Sequence, residues 1–314
     1  MTIDTIDNSA SDTEDNTLPN INDKPLISFD YAIKYMLKDK GDYSIVEGFI
    51  SDLLRTRGYK DVKIVALLES ESNKEDSKSK RSLADVIVED EDKNKYIIEI
   101  ERNLKDSFVH KSCFNTSRLI VDNLAQREDY TQIIKVFHIS LLYFPIGTGA
   151  GAIYHGKTII HEIETNERLN VHIKNQETGK VFDATDILPE YFFISIPLFN
   201  DKLEREIDDW LYMMKYDNVP NSFHSKYLNQ AKEKLSILKM TKEERAGYSY
   251  YQKKLYSDRD ELQAAIAKGR EEGRQEGIEK TAINMIKQNL DFKLISQVTG
   301  FSEQEVQKLK DHFN

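Results

Sequence analysis

Two short apolar runs separated by a charged segment form the most informative pattern in the chain. The first run, Val86–Val88, and the second, Tyr96–Ile100, are rich in Val, Ile and Tyr, which favour β-strands. The intervening segment, Glu89–Lys95, is strongly charged, so we predict a loop there. The simplest arrangement of these three elements is a β-hairpin.

The register of this hairpin determines where its acidic side chains lie. If Val88 pairs with Tyr96, antiparallel geometry places Asp85 opposite Glu99. Glu101 follows Glu99 by two residues and therefore shares its face of the strand. The sequence thus predicts that three carboxylates converge on one face of the hairpin, at the edge of the sheet.

Converging carboxylates require a positive charge nearby, because like charges a few ångströms apart raise one another's pKa. Oxygen ligands of this kind suit Mg²⁺. The apolar Ile97 shares the face of Glu99, and the opposite face carries Ile98 and Ile100, so the strand is expected to be buried on both faces. From the residues alone, a metal site and a structural ion pair both remain open.

An Asp on one strand, a short loop and then Glu-x-acid on the next strand resemble the PD-(D/E)XK nuclease superfamily. More narrowly, the chain resembles the Rpn-type recombination-promoting nucleases, which are often described as transposases. The similarity runs roughly from Phe29 to Lys215. The segments that carry it are Phe29–Lys34, Tyr96–Glu101, Lys135–Ser140, Leu188–Tyr191 and Asp208–Tyr212.

This resemblance implies an α/β fold, in which a restriction-endonuclease-like mixed β-sheet core is flanked by helices and followed by a helical C-terminal extension. It also implies a Mg²⁺-dependent DNA endonuclease, with Mn²⁺ as a substitute metal, linked to recombination or mobile DNA. Asp85 and Glu99 would be metal ligands, with the backbone carbonyl of Ile100 as a third. Glu101 would be a further ligand or the base for the attacking water. The superfamily signature has Lys at this position and the family commonly has Gln, so Glu101 departs from the pattern.

Two helices carry possible supporting residues. Glu47 lies in a predicted helix, Asp42–Arg57, where the superfamily places an acid that contacts a metal-bound water; an exposed helix carboxylate is the alternative. Lys111 and Arg118 lie in a second predicted helix, Asp106–Gln126. Either residue would supply the cation that the missing signature Lys provides, although both also suit an exposed helix face.

The remaining pattern predicts further strands and a helical C-terminal part. We divide the chain into a disordered acidic tail (1–25), a nuclease-like core (26–216), a helical extension (217–280) and a small helix-turn-helix-like module (281–314). The additional strands are expected at Val62–Leu68, Ile133–Phe144, Ile159–Glu164, Leu169–Ile173 and Tyr191–Ile196.

A helix predicted over Lys242–Lys268 is followed by glycines at every fourth position, Gly269, Gly273 and Gly277. This spacing indicates a hinge or a helix that self-associates. The C-terminal module carries several acids on its second helix, which favours a folding or docking role over DNA reading.

Composition limits the functional classes. The net charge of −10 over 314 residues is the wrong sign for a protein held on DNA by charge alone. Cys113 is the only cysteine, which excludes intrachain disulfides and cysteine-based zinc sites.

His155 and His161 lack the further ligands of a zinc site, and all seven histidines are interpreted as ordinary. Without a signal peptide or an apolar run long enough to cross a membrane, we expect a cytoplasmic protein that contacts DNA.

Two other functions remain open. In the first, the chain is a catalytically weak DNA-binding or recombination accessory protein that keeps the nuclease fold. In the second, it acts in assembly through its helical tail. The first alternative depends on Glu101, which departs from the superfamily signature.

Overall fold

The computed structural model describes residues 26–38, 41–68, 86–104, 107–124, 130, 133–174 and 181–313. The predicted acidic tail and Asp85 lie outside the described residues, as does Gln126 at the end of the predicted helix Asp106–Gln126. The described residues form two compact units, divided between Thr241 and Lys242.

The first unit is built on a mixed β-sheet. Its strands are β1 (Ile64–Leu68), β2 (Val86–Asp90), β3 (Lys95–Glu101), β4 (Val136–Leu142), β5 (Ile153–Lys157), β6 (His172–Lys174), β7 (Val181–Asp183) and β8 (Glu190–Ser195). Six of them form one sheet in the order β1-β2-β3-β4-β8-β5, and β6 pairs separately with β7. The pairs β3/β4 and β4/β8 are parallel, whereas β1/β2, β2/β3 and β5/β8 are antiparallel.

Helices flank this sheet and make up the second unit. Those of the first unit are α1 (Phe29–Lys38), α2 (Ser44–Arg55), α3 (Phe108–Asp122), α4 (Glu206–Tyr216) and α5 (Leu228–Lys234). Those of the second are α6 (Lys242–Lys287), α7 (Phe292–Thr299) and α8 (Glu303–Phe313). The predicted α/β class, with a mixed sheet, flanking helices and a helical C-terminal extension, is confirmed.

The hairpin of β2 and β3 has the predicted register. Val88 pairs with Tyr96, and Val86 pairs with Ile98. The strand β3 is buried on both faces, as its apolar residues on both sides predicted. It lies between β2 and β4 in the interior of the sheet, and the acidic Glu99 is buried there. The expected position at the sheet edge is therefore wrong for Glu99, because β4 continues the sheet beyond β3.

Helix α3 covers one face of the sheet. Leu119 of this helix packs with Ile87, Ile97 and Val136, which come from three adjacent strands. Residues that alternate with Ile97 and Val136 along their strands therefore face α3 as well. On β3 these are Glu99 and Glu101, which places both acids beneath the same helix.

The opposite face carries an aromatic layer. Tyr96 stacks on Phe137 with ring centroids 5.2 Å apart, and Tyr59, which follows α2, meets Phe137 edge-on. Helices α1, α2 and α4 pack through Phe29, Phe49 and Trp210. Trp210 is fully buried and donates its indole N–H to Asp52, so it anchors the packing of these helices.

Two strand predictions fail in the region after β4. Ile159–Glu164 is not a strand, and the strand in this region is instead the earlier segment β5. In Leu169–Ile173 only the last two residues fall within the short β6. Ile159, Ile160 and Ile163 are exposed, so their apolar character reflects surface residues rather than a buried strand. β5 was missed because His155, Gly156 and Lys157 interrupt its apolar pattern.

The second unit begins with one long helix. α6 continues through Gly269, Gly273 and Gly277 to Lys287, so the predicted end at Lys268 is wrong. Strong helix formers surround the glycines, and pairs such as Arg274–Glu271 lie along the helix surface. A small core of Ala282, Ile295 and Val306 then joins α6 to α7 and α8.

Local signals end α7 and begin α8. Gly300 adopts a left-handed conformation with φ of 77°, which ends α7. Ser302 and Glu305 then exchange hydrogen bonds in a capping box: Glu305 accepts from the Ser302 backbone N–H at 2.7 Å, and Ser302 accepts from the Glu305 backbone N–H at 3.3 Å.

No helix in the described part of the chain is both long enough and apolar enough to cross a membrane.

Candidate active site

Glu99 lies in a pocket formed by β3, β4 and α3, and it is 1% exposed. Its Oε1 accepts a hydrogen bond from the side-chain amide of Asn115. His138 Nε2 lies 3.3 Å from its Oε2. The parallel register pairs Glu99 with Ser140 and Ile97 with His138, so the histidine lies diagonally across from the acid on the same face. The Asn115 hydrogen bond therefore fixes one carboxylate oxygen, and His138 lies close to the other.

Lys111 connects Glu99 with Glu101. Its Nζ donates a hydrogen bond to Glu101 Oε1 and lies 3.7 Å from Glu99 Oε1. Glu101 is buried, whereas the Lys111 side chain is about one-third exposed. The two acids of β3 thus share one ammonium group at the border between the protein interior and solvent.

The spacing along α3 explains why these groups meet. Lys111 and Asn115 are four residues apart and lie on the helix face that covers β3. Arg118 instead pairs with Asp122 at 3.2 Å on the exposed side of the same helix. Of the two predicted sources of a cation, the structure brings only Lys111 to the acids.

Opposing influences act on the protonation of Glu99. Burial raises the pKa of the carboxyl, whereas the contact with His138, the charge of Lys111 and the hydrogen bond from Asn115 lower it. The lowering influences win, and the pKa of Glu99 lies below its usual value. Glu99 is therefore an ionised carboxylate at neutral pH despite its burial.

His138 and Thr116 belong to the same pocket but were not singled out in the sequence. His138 is fully buried, and its Nδ1 lies 3.0 Å from Thr116 Oγ1. Ser112 and Ser140 bond to each other at 3.2 Å nearby. The available signal was the alternation of His138 and Ser140 within the otherwise apolar β4, since two polar residues on one face of a buried strand need partners. Interpreting His138 as ordinary was therefore incomplete.

We name five residues the Glu99 cluster: Glu99, Glu101, Lys111, Asn115 and His138. Its oxygen donors suit a hard divalent cation. Asn115 Oδ1 is buried beside Glu99 and accepts no hydrogen bond from the described residues, which leaves one more oxygen available to a cation or its water. Among the described residues no three His, Cys, Asp or Glu side chains form a metal-binding group, and the predicted third acid, Asp85, is outside them.

The end of β3 is held by an ion pair. Arg102, directly after Glu101, donates from Nε to Asp30 Oδ2 at 3.2 Å, and its guanidinium lies 4.4 Å from the centre of the Tyr143 ring. Asp30 belongs to α1 and is buried. The opening segment of the chain therefore positions the strand that carries both acids.

Glu47 joins helix α2 to the sheet. It accepts a hydrogen bond from the Ile64 backbone N–H at 3.0 Å and pairs with Lys63 at 3.1 Å. These contacts place it at the start of β1, so it is not the exposed helix carboxylate of the alternative interpretation. Its contact with a metal-bound water stays a prediction.

A second buried acid lies on the other face of the sheet. Glu190 accepts hydrogen bonds from Lys135 at 2.9 Å and from Tyr59, while His155 Nε2 lies 2.8 Å from its Oε2. Lys157 Nζ approaches within 3.3 Å. We name these five residues the Glu190 cluster. His155 therefore contacts Glu190, whereas His161 contacts the Asn166 carbonyl. The two histidines form no metal pair.

A model of the PD-(D/E)XK nuclease family transposases matches residues 27–265, which include the whole sheet and the Glu99 cluster. Neither the curated proteins nor the solved structures contain a significant match. Because the family match covers most of the 314 residues, the chain belongs to the PD-(D/E)XK nuclease family transposases.

Proposed function

We propose that the protein is a divalent-metal-dependent DNA endonuclease that acts in recombination or on mobile DNA. The observation that carries the proposal is the pair of buried acids, Glu99 and Glu101, that share Lys111 on one face of β3. Family membership supports a nuclease or mobile-DNA role, and the oxygen-rich donor set suits a hard cation.

In this proposal Asp85, Glu99 and the backbone carbonyl of Ile100 hold Mg²⁺, for which Mn²⁺ substitutes. When bound, the cation activates water and neutralises charge on the scissile phosphodiester. Asn115 and His138 hold the Glu99 carboxylate in one orientation. Preorganised ligands of this kind reduce the reorganisation required at the moment of reaction.

Glu101 and Lys111 act beside these ligands. Glu101 is a further ligand or accepts the proton of the attacking water, and the Lys111 ammonium stabilises negative charge that develops on the phosphate. Lys111 thereby supplies from α3 the cation that the superfamily signature places on the strand.

The second candidate function is a catalytically weak DNA-binding or recombination accessory protein. The ion pair between Lys111 and Glu101 supports it, because the Lys111 ammonium already neutralises part of the negative charge of the two glutamates. In that case Lys111 and the two glutamates form a structural ion pair, and the fold is retained for DNA binding.

Plasmid cleavage with Mg²⁺, Mn²⁺, Ca²⁺ or a chelator tests the proposal. We expect cleavage with Mg²⁺ and Mn²⁺, and DNA binding without cleavage in Ca²⁺, which activates water less well. Asp85→Asn and Glu99→Gln should each abolish cleavage. Asp122→Asn, an exposed acid on α3, is the matched control and should behave as wild type.

Glu101 separates the two candidates. If it is a ligand or base, Glu101→Gln should lower the cleavage rate strongly. If it replaces a neutral residue and repels the phosphate, Glu101→Gln or Glu101→Lys should raise activity. If folded wild-type protein fails to cleave DNA with any of these divalent metals, and neither Glu101 variant gains activity, the accessory function is supported instead.

A further inference from the structure

The middle of α6 is largely exposed. Between Gln252 and Ala282 no residue of this helix is buried, and only Leu255, Tyr256 and Ile278 are partly buried. At 1.5 Å per residue, this segment extends for about 44 Å. A polar helix of this length with so little packed against it is a weak structure on its own, because most helix stability in proteins comes from packing.

One narrow stripe of the segment is nevertheless suited to contact. Leu255, Leu262, Ile266, Gly269 and Gly273 follow one another at spacings of seven, four, three and four residues, which places them on one side of the helix. Leu262 is 38% exposed and Ile266 is 47% exposed. The stripe has large residues in its first half and glycines in its second half.

The glycines have no explanation within the chain. A Cβ atom added at Gly269, Gly273 or Gly277 would meet nothing within 4 Å, so no neighbour in the structure requires the absence of a side chain. Glycine weakens a helix interior relative to alanine. Close approach of another helix is the usual reason to keep small residues at such spacing.

Two charged residues occupy heptad positions in line with the stripe, and they specify the orientation of such a partner: Arg259 lies between Leu255 and Leu262, and Glu276 lies beyond Gly273. Arg259 precedes Leu262 by three residues and Glu276 follows Gly273 by three, so both continue the same heptad positions. Two parallel copies would place arginine against arginine and glutamate against glutamate. Two antiparallel copies would place Arg259 of each against Glu276 of the other.

We propose that α6 pairs with α6 of a second copy of this chain, antiparallel and centred between Ile266 and Gly269. Ile266 then packs over Gly269 of the other copy, and Leu262 over its Gly273. The large half of each stripe fills the glycine half of the other, and Arg259–Glu276 pairs border the contact. This assembly goes beyond the proposed nuclease function and does not depend on it.

Sedimentation of the full chain over a range of concentrations tests the pairing. We expect a wild-type dimer at micromolar concentration. Arg259→Glu and Glu276→Arg should each raise the dimer dissociation constant at least about tenfold, since each juxtaposes like charges in both symmetric contacts. The double variant should restore wild-type affinity, and Lys253→Glu, on the far side of the helix, should have no effect. A monomeric wild type, or a dimer indifferent to these changes, would overturn the proposal.

Cysteine cross-linking fixes the orientation. In a Cys113→Ser background, chains with Leu262→Cys should cross-link to chains with Gly273→Cys through a short bismaleimide, whereas neither variant should cross-link to itself. Glu271→Cys, on the opposite helix face, is the control and should remain uncross-linked. Efficient coupling of Leu262→Cys to itself would show a parallel pair and reject the antiparallel arrangement.

Discussion

The two faces of the sheet each bury a glutamate, but they neutralise it in opposite ways. In the Glu99 cluster two glutamates share one lysine, Lys111. In the Glu190 cluster one glutamate is shared by two lysines, Lys135 and Lys157. The Lys111 ammonium is divided between two carboxylates, whereas the Glu190 carboxylate contacts two ammonium groups. The Glu190 carboxylate is already neutralised by two ammonium groups, which would repel a further cation.

Access to solvent distinguishes the clusters less than charge does. The Lys111 side chain is 32% exposed, and the Lys157 side chain of the Glu190 cluster is 26% exposed. Burial of an acid is therefore not in itself a sign of catalysis. The ratio of acids to cations among the described residues is what distinguishes the two clusters.

The largest expected effect distinguishes Glu99 from Glu190 by their influence on DNA cleavage. Glu99→Gln should abolish metal-dependent cleavage, because it removes a charged ligand while Asn115 and His138 remain to pack around the new amide. Its free energy of unfolding should change far less than that of the corresponding change at Glu190. Paired cleavage and urea-unfolding measurements check this, and a Glu99→Gln protein that cleaves at the wild-type rate would contradict it.

The next effect concerns stability. Glu190→Ala should lower the free energy of unfolding by roughly 3–5 kcal/mol, because it leaves the buried Lys135 without its carboxylate. Asp186→Asn is the control: Asp186 pairs with Lys157 at 3.1 Å but is about half exposed, so its loss should cost little. Equal stability of the two variants in urea would show that Glu190 is not a structural acid.

A smaller effect is expected at His138. Its ring lies between Thr116 and the Glu99 carboxylate, so His138→Gln should lower metal affinity by about 10–100-fold, as is typical when a residue that orients a ligand is lost. Metal binding measured by calorimetry, without DNA, checks this independently of cleavage. Thr116→Val should cause a smaller loss in the same direction, whereas unchanged affinity in both variants would rule out an orienting role.

The most gradual effect is the pH dependence of stability that the Glu190 cluster produces. Burial raises the pKa of Glu190, but hydrogen bonds from Tyr59, Lys135 and His155 outweigh it and hold the pKa at about 2. This acid therefore contributes stability that is present above its unfolded pKa of 4.5 and is lost as pH falls towards 2. Burial and the hydrogen bond to Glu190 raise the pKa of Tyr59 to about 12, so its contribution is present below pH 10 and is lost as pH rises through 12.

Urea unfolding across this pH range, compared with Glu190→Gln, isolates these contributions. The variant should lose less stability than wild type between pH 4.5 and pH 2. Identical acid dependence of the two proteins would mean that other carboxylates dominate.

The hairpin was predictable because its information is local. Alternation along β3 put Glu99 and Glu101 on one face, and the charged turn set the register of Val88 with Tyr96, both as observed. Whether Asp85 joins them remains a prediction. Lys111 was recognised as a candidate from its place on a helix, but nothing in the local pattern distinguished it from Arg118.

Partners that come from distant segments were not predictable in the same way. His138 reaches Glu99 only through the parallel register of β4, and Glu190 gathers partners from separate parts of the chain. A single sequence carries no direct signal for such pairings. Polar residues within apolar strands, such as His138 and Ser140, indicated only that partners had to exist.

The parallel pairing of β3 with β4 has a consequence for the order of folding. The hairpin of β2 and β3 closes through a short turn, whereas β4 reaches β3 only after the chain has passed through α3. Short loops close before long ones because less chain entropy is lost. Lys111 and Asn115 contact Glu101 and Glu99 across only 10 and 16 residues of chain, whereas His138 contacts Glu99 across a much longer segment. We therefore expect the two acids to meet Lys111 and Asn115 early in folding, and His138 to complete the Glu99 cluster last.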